Sequence, residues 1–226
     1  MQKPSTILHE GRCRVVIEGV APEIDGGLFP IKRTPGEPVA VEADIFGDGH
    51  ESIACVLMYR RDQEQTWREA TMASLVNDRW RGVFTPSEVG RYVYTLAAWV
   101  DGFQTWRRDL QKRAEAGAHT DLDMLIGARL IEEAGLRAAA ADARQLGEWA
   151  KKLTAKNRGL AEKLALALSE DLAGLMQKYP DRSLATTYAK ELTAVVDRDK
   201  ARFSSWYEMF PRSAATKPGA HGTFKD

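Results

Sequence analysis

Residues 91–117, RYVYTLAAWVDGFQTWRRDLQKRAEAG, contain the change from strand to helix patterning that decides the fold. Two sets of side chains alternate in the first half: Tyr92, Tyr94, Leu96 and Ala98 on one face, and Val93, Thr95, Ala97 and Trp99 on the other. Period two over this length predicts a β-strand that ends at the turn pair Asp101-Gly102. From Asp109 onward Ala, Leu, Glu, Lys and Arg predominate, as is typical of helices. The sequence therefore predicts an α+β chain in which strands come first and helices follow.

Three further runs before this stretch also alternate with period two. Their alternating residues are Cys13, Val15 and Ile17, then Val39, Val41, Ala43 and Ile45, then Cys55, Leu57 and Tyr59. Turn residues separate the runs, as at Asp25-Gly26-Gly27 and Pro35-Gly36. Short strands with turns at near-regular spacing predict a two-sheet sandwich of immunoglobulin type over residues 10–108. The disulfide and tryptophan signature of antibody domains is absent from the sequence, so the prediction concerns the architecture alone.

Residues 109–203 predict a small helical bundle, because amphipathic helices with short connections pack as antiparallel neighbours. Thr120, followed by acidic residues, is a candidate N-cap. The residues Leu122, Leu125, Ile126 and Leu130 then share one helix face, which we expect to be buried. Further helices are predicted over 136–156, 160–168, 170–179 and 183–203, the last with Tyr188, Leu192, Val195 and Val196 as its apolar stripe.

The end of the chain has a different pattern. Residues 205–213 read SWYEMFPRS, a buried-strand pattern, and a polar loop leads from there to HGTFKD at 221–226. A buried strand needs neighbours for its backbone donors and acceptors, and no parallel sheet is predicted for this one to join. We therefore expect residues 204–226 to be the first strand and loop of a further domain, absent from this chain.

Composition narrows the classes of partner. The 32 basic and 32 acidic residues give a formal net charge of zero, which argues against nucleic acid or an anionic membrane as the main partner. No apolar run approaches the roughly 20 residues of a membrane span. Residues 1–6 contain no apolar segment, so we expect no signal peptide and a cytoplasmic location. In that location Cys13 and Cys55 are expected to be reduced and buried.

No constellation in the sequence predicts catalysis, a metal site or a cofactor. The histidines are scattered and are interpreted as solvated loop residues: His9, His50, His119 and His221. Neither cysteine lies in a CxxC spacing, and no phosphate-binding glycine-rich motif occurs. Four tryptophans fall in the predicted strands and turns and either fill the space between sheets or stack on sugar rings: Trp67, Trp80, Trp99 and Trp106.

Three long blocks of the chain resemble the opening of the bacterial α-1,4-glucan:maltose-1-phosphate maltosyltransferases. They are VVIEGVAPEIDGGLFPIKRTPGEPVAVEADIFGDGH (15–50), NDRWRGVFTPSEVGRYVYTLAAWVDGFQTWRRDLQKRAEAG (77–117) and VVDRDKARFSSWYEMFPRS (195–213). The resemblance covers nearly the whole chain and is weakest in the Ala-rich helices. It implies a β-sandwich with a helical insertion, placed ahead of a (β/α)8 catalytic barrel of the α-amylase clan, whose first strand would be SWYEMFPRS.

The resemblance also implies an activity for a longer parent protein. That protein would transfer maltosyl units from maltose 1-phosphate to an α-1,4-glucan by a retaining double displacement between two carboxyl groups. Both groups would belong to later barrel strands, so no catalytic, substrate-binding or metal residue is assigned in this chain, and no cofactor is implied. The family's homodimers form through this region, so the chain is expected to serve dimerisation and barrel support.

Two other functions remain open. A carbohydrate-binding module would require at least two exposed, coplanar tryptophans. A purely structural support would expose apolar side chains only where it meets the barrel, whereas dimerisation predicts an exposed apolar patch on the sandwich or the bundle.

Overall fold

A computed structural model describes residues 12–225. The predictions for residues 1–6, His9, the start of the sandwich at residue 10 and the last residue, Asp226, lie outside the described residues. The predicted α+β class is confirmed, with ten strands and five helices in the described part of the chain.

The strands form two sheets. The first has the order β1-β3-β7-β6, made by β1 (Val15–Ala21), β3 (Val39–Gly47), β7 (Arg79–Phe84) and β6 (Ala73–Ser74). The second has the order β2-β10-β8-β4-β5, made by β2 (Ile31–Arg33), β10 (Leu192–Val196), β8 (Gly90–Val100), β4 (Ile53–Arg61) and β5 (Arg68–Thr71). The short strand β9 (Thr186–Thr187) also pairs with β8. The four predicted strand runs correspond to β1, β3, β4 and β8.

One hydrophobic core lies between the two sheets. Val39, Val41 and Ala43 of β3 are fully buried, as their alternation predicts, and they share a cluster with Leu57 of β4 and Leu96 of β8. Apolar area removed from water on both inner faces is the main force holding the sheets together, at about 25 cal/mol per Å².

The predicted helix over residues 183–203 is wrong. Leu192, Ala194 and Val196 are buried and alternate with half-buried residues, which is the period of a strand. This strand, β10, pairs in parallel with β2 and antiparallel with β8. The β-branched residues Thr193 and Val195 favour a strand, and a place between two existing strands satisfies its backbone groups on both sides. The chain therefore returns to the sheet after the helices.

The helices lie between β8 and β9 in the chain. They are α1 (Gly102–Glu115), α2 (Asp121–Gly135), α3 (Ala140–Thr154), α4 (Leu160–Ala167) and α5 (Glu170–Lys178). The Asp101 side chain caps α1 by accepting from the Gln104 N–H at 2.9 Å, so the first helix begins before the predicted boundary at 108/109. These helices enclose a core of their own, separate from the core between the sheets. The division into separately folding domains stays a prediction.

The predicted buried face of α2 is wrong for most of its residues. Leu122, Leu125 and Ile126 are exposed, and only Leu130 is partly buried. The buried face instead carries Met124, Gly127, Ala128, Ile131 and Ala134. Small residues on that face let the helices approach closely. Gly127, for example, lies directly against the ring of Trp106 on α1.

The N-terminus of α2 is held by Asp123, which completes the cap predicted at Thr120. Its carboxylate accepts from the backbone N–H of Thr120 at 2.7 Å and from the Thr120 hydroxyl at 3.1 Å, and it pairs with Arg113 of α1. Burial alone would raise the pKa of Asp123, but the bonds from Thr120 and Arg113 outweigh it and lower the pKa below its usual value. The ionised carboxylate therefore stabilises the folded state.

Asp123→Asn is expected to lower the free energy of unfolding by about 1–3 kcal/mol at pH 7. Because the folded pKa of Asp123 is depressed, its contribution is fully present above the unfolded value of about 4 and is lost as the pH falls through the folded value. Urea denaturation at pH 7 and at pH 3 should show the difference from wild type shrinking at pH 3. The control is Asp171→Asn. Asp171 is an exposed residue in the first turn of α5, so its substitution should change the free energy of unfolding little at either pH. An Asp123→Asn deficit of the same size at both pH values would contradict this account.

The predicted strand over 205–213 is not formed in the described part of the chain. After β10 come two short 3-10 turns, Asp199–Arg202 and Pro211–Ala214, with irregular backbone between them. A strand cannot form without a partner for its backbone groups.

Candidate interaction surfaces

The chemically reactive residues are not gathered in one place. Among residues 12–225, no group of three or more His, Cys, Asp or Glu side chains could hold a metal ion. His50 lies in the turn between β3 and β4, His119 precedes α2, and His221 is exposed near the end of the chain. Across the same residues, no helix combines the length and apolar character that crossing a membrane requires.

The two cysteines are free thiols. Cys55 is buried in the core between the sheets, as predicted, whereas Cys13 is only partly buried. Burial raises the pKa of Cys55 to about 12, so its thiol stays protonated at neutral pH and is a poor nucleophile. Cys55 therefore packs as a small apolar side chain.

The tryptophans in and around the sheets do not form a sugar platform. Trp99 and Trp106 are buried, and the Arg182 guanidinium covers the Trp99 ring at 4.2 Å. Trp67 and Trp80 are partly buried; Arg60 lies 4.5 Å over the Trp67 ring, and the Trp80 indole donates to the Ile45 carbonyl. The interpretation of these rings as packing residues holds, and the alternative of a carbohydrate module built on exposed tryptophans loses its basis.

The segment 203–210 is the first of three exposed apolar surfaces. Trp206 and Tyr207 are each 92% exposed, and Phe203, Met209 and Phe210 are also exposed. Five large apolar side chains within eight residues expose far more apolar surface than isolated surface residues do. These are the residues whose pattern predicts a buried strand, and no other described residue covers them.

The loop 22–30, between β1 and β2, is the second surface. Ile24, Leu28 and Phe29 are exposed on it, Leu28 by 75%. The backbone beneath them turns through three consecutive residues with positive φ, Asp25 at 47°, Gly26 at 65° and Gly27 at 87°. Glycine adopts this conformation freely and aspartate tolerates it better than most residues, which suits the sequence Asp-Gly-Gly to a tight turn. Side-chain contacts fix the residues just before the turn.

The contacts to Pro22 and Glu23 come from the second sheet and from the segment before β10. The Tyr94 hydroxyl donates to the Pro22 carbonyl at 2.6 Å. Glu23 accepts from the Tyr188 hydroxyl at 2.5 Å and from the Lys190 ammonium at 2.6 Å. These two donors, Lys190 first, lower the pKa of Glu23. The loop is therefore fixed at its base, while its apolar side chains face outward.

The third surface is the stripe formed by Leu122, Leu125 and Ile126 on α2. These residues lie at i, i+3 and i+4, so they form one continuous strip on the side of the helix opposite its core. The sequence pattern found the strip but assigned it to the interior.

A cavity of about 290 Å³ lies where the helices meet the sheets. Its wall includes Trp99 of β8, Phe103 of α1, Leu130 of α2 and Met176 of α5. Asp101 also lies there, and burial raises the pKa of its carboxyl group. The cavity therefore lies between the core of the sheets and the core of the helices, which are separate clusters.

Comparison with known proteins gives one family. The family model of α-1,4-glucan:maltose-1-phosphate maltosyltransferase, domain N/S, matches residues 13–198. Curated proteins named α-1,4-glucan:maltose-1-phosphate maltosyltransferase are similar over almost the whole chain. That of Chlorobaculum tepidum is 45% identical over 96% of this chain, that of Myxococcus xanthus 44% over 94%, and that of Methylacidiphilum infernorum 39% over 96%. The matched region is 32%, 33% and 32% of those three proteins, so the chain spans about a third of their length.

Proposed function

This chain belongs to the α-1,4-glucan:maltose-1-phosphate maltosyltransferase family, and on that premise we propose that it is the non-catalytic N-terminal region of such an enzyme. Its role is to support a catalytic barrel that follows it. The longer protein transfers maltosyl units from maltose 1-phosphate to an α-1,4-glucan and releases phosphate.

The chemistry belongs to the following part of the protein. A retaining transfer needs one carboxylate as nucleophile and a second carboxyl group as acid and base, on opposite sides of the glycosidic bond. We assign neither role to a residue of this chain, and we assign it no substrate site and no cofactor. Maltose 1-phosphate and the glucan are ligands of the longer protein.

The observation that carries this proposal is the exposure of Trp206, Tyr207 and Phe210. Three large aromatic side chains at the surface of one short segment favour a partner that covers them. In the longer protein that partner is the barrel. Residues 204–226 are its first strand and loop, and the neighbouring barrel strands pair with 205–213.

The remaining elements of the proposal concern architecture and assembly. The two sheets form a sandwich of immunoglobulin type, with α1 to α5 as an insertion between its strands. The enzyme is a homodimer that pairs through the sandwich and the helices, and the exposed strip on α2 is available for that contact. A location in the cytoplasm stays a prediction.

This chain alone is expected to release no phosphate from maltose 1-phosphate in the presence of a malto-oligosaccharide. The longer polypeptide, in which these residues are followed by the remaining two thirds, is expected to release phosphate and lengthen the acceptor. The reason is that the paired carboxyl groups lie only in the longer protein. Turnover by this chain that survives repurification would contradict the proposal.

The support role has a separate readout in the same two proteins. Backbone amides of 206–210 should exchange with solvent rapidly in this chain and at least roughly tenfold more slowly in the longer protein, because there they pair with barrel strands. Equal exchange in both proteins would exclude the barrel-strand assignment, whatever the activity measurement shows.

A further inference from the structure

The loop 22–30 combines a constrained backbone with exposed apolar side chains. Its backbone is constrained, with positive φ at Asp25 and with Pro22 and Glu23 bonded to buried or half-buried side chains. Yet it presents Ile24, Leu28 and Phe29 to solvent. A flexible loop must lose conformational entropy when it binds a partner, and this loss weakens the contact. A fixed loop loses little, so its exposed apolar side chains are preorganised for binding.

The loop lies at the N-terminal ends of β2 and β10, which are parallel neighbours, and the chain departs from their C-terminal ends, at the other end of the three-residue strand β2. It leads directly into β2, the outermost strand of that sheet, and β2 pairs with β10. Beyond β10, the Asp197 N–H donates to the Arg33 carbonyl at 2.8 Å, and the Arg202 guanidinium donates to the Thr34 hydroxyl at 2.6 Å. The exposed segment 203–210 begins one residue later.

We propose that Ile24, Leu28 and Phe29 form a docking surface for the polypeptide that follows residue 226 in the longer protein. This rests on the proposed function and adds a second point of attachment to it. The covalent connection at 203–210 would tether the catalytic part, and the 22–30 loop would fix its orientation.

Size and connectivity favour this occupant over a second copy of the chain. A stable interface between separate molecules buries about 1,200–2,000 Å² in total, and three side chains on one loop cannot supply that area. A partner tethered through the segment that follows β10, the strand paired with β2, is present at an effective concentration in the millimolar range. A small apolar contact is sufficient at that concentration.

The test compares the double variant Leu28→Ser/Phe29→Ser in this chain and in the longer protein. In this chain the melting midpoint should fall only slightly, because Leu28 is 75% exposed and Phe29 is 54% exposed. In the longer protein the midpoint of the catalytic part should fall by roughly 3 °C or more, and amides of 28–33 should lose protection against hydrogen exchange. Leu136→Ser, at a side chain that is 88% exposed at the end of α2, is the control and should be neutral in both proteins.

Each other outcome overturns the inference. A neutral double variant in the longer protein excludes docking at this loop. An equal fall of the midpoint in both proteins means that the two side chains support this chain itself. If sedimentation shows that the double variant separates a dimer of this chain, the occupant is a second copy. If 206–210 gain protection in the longer protein but 28–33 do not, the proposed function stands and this inference fails.

Discussion

Gly127→Ala is expected to destabilise the helical part of the chain by about 3 kcal/mol, near the upper end for overpacked cores. Gly127 lies on the buried face of α2 against the indole of Trp106. An alanine methyl group there would lie 2.5 Å from Cη2 and 2.7 Å from Cε2 of that ring. The ring cannot retreat easily, because it is buried and its N–H donates to the Asp123 carbonyl at 2.9 Å. The measurement is urea denaturation followed by circular dichroism at 222 nm.

Two further variants separate the steric cause from an effect on helix propensity. Gly147→Ala, within α3, adds the same methyl group where nothing lies within 4 Å, so it should stabilise by about 0.5–1 kcal/mol. Trp106→Leu removes the ring and is destabilising by itself, but adding Gly127→Ala to it should cost much less than adding it to wild type. If the two substitutions add independently, the contact with Trp106 is not the cause.

The strands with strict alternation could be predicted from the sequence because burial on one face leaves a period of two. Val39 to Ile45 of β3 is the clearest case, since its alternate residues are all buried. The sequence of β10 fits two structures. Its alternation fits a strand, but Leu192, Val195 and Val196 also have the spacing of a helix face. What decides between the two structures is the pairing of β10 with β2, whose paired residues lie 163 positions earlier in the chain, and no local pattern contains that information.

The error on α2 has a related cause. The helix carries apolar residues on two sides, Leu125 and Ile126 on one and Met124 and Ile131 on the other. Hydrophobicity alone favours the side with more leucine. The structure buries the side that contains Gly127 and Ala128, because only small residues admit the Trp106 ring, and that requirement is a property of the neighbouring helix.

The candidate surfaces could be predicted only in part. The pattern of 205–213 predicts a strand that buries Trp206 and Phe210, but both side chains are exposed and no strand is formed there, so the barrel-strand assignment stays a prediction. The turn at Asp25 was also expected. That the turn would hold Leu28 and Phe29 outward depends on Tyr94 and Tyr188, which reach it from distant strands.

The helices are arranged as an insertion whose two ends meet. Ala98 of β8 pairs with Thr186 of β9, so the chain leaves the sheet and returns to it at adjacent positions. The helical core and the core between the sheets are separate clusters. If each core is sufficient for its own part, removal of the helices should leave the two sheets folded.

The variant that tests this joins Asp101 to Ser183 through Asn-Gly in place of residues 102–182. If the antiparallel register of Ala98 with Thr186 continues, Asp101 and Ser183 lie opposite each other, which suits a two-residue type I′ turn. The deletion removes Arg182, which covers the Trp99 ring. The same variant therefore also carries Trp99→Thr, so that no large apolar ring is exposed. We expect a protein with strand-type circular dichroism, dispersed amide resonances and one cooperative thermal transition.

One substitution in β10, a strand that follows the helices, is expected to prevent folding. Ala194 of β10 is fully buried between β2 and β8, and Ala194→Asp places a carboxyl group there without a partner. A buried unpaired charge costs several kcal/mol, comparable with the whole stability of a domain of this size, so this variant should fail to fold even though every helix is intact. A folded Ala194→Asp protein, or an unfolded helix-deleted one, would mean that the helices hold the sheets together. We expect the large deletion to be tolerated and the single side chain not to be, because β10 lies inside the sheet, between β2 and β8, and the helices interrupt that sheet only in sequence.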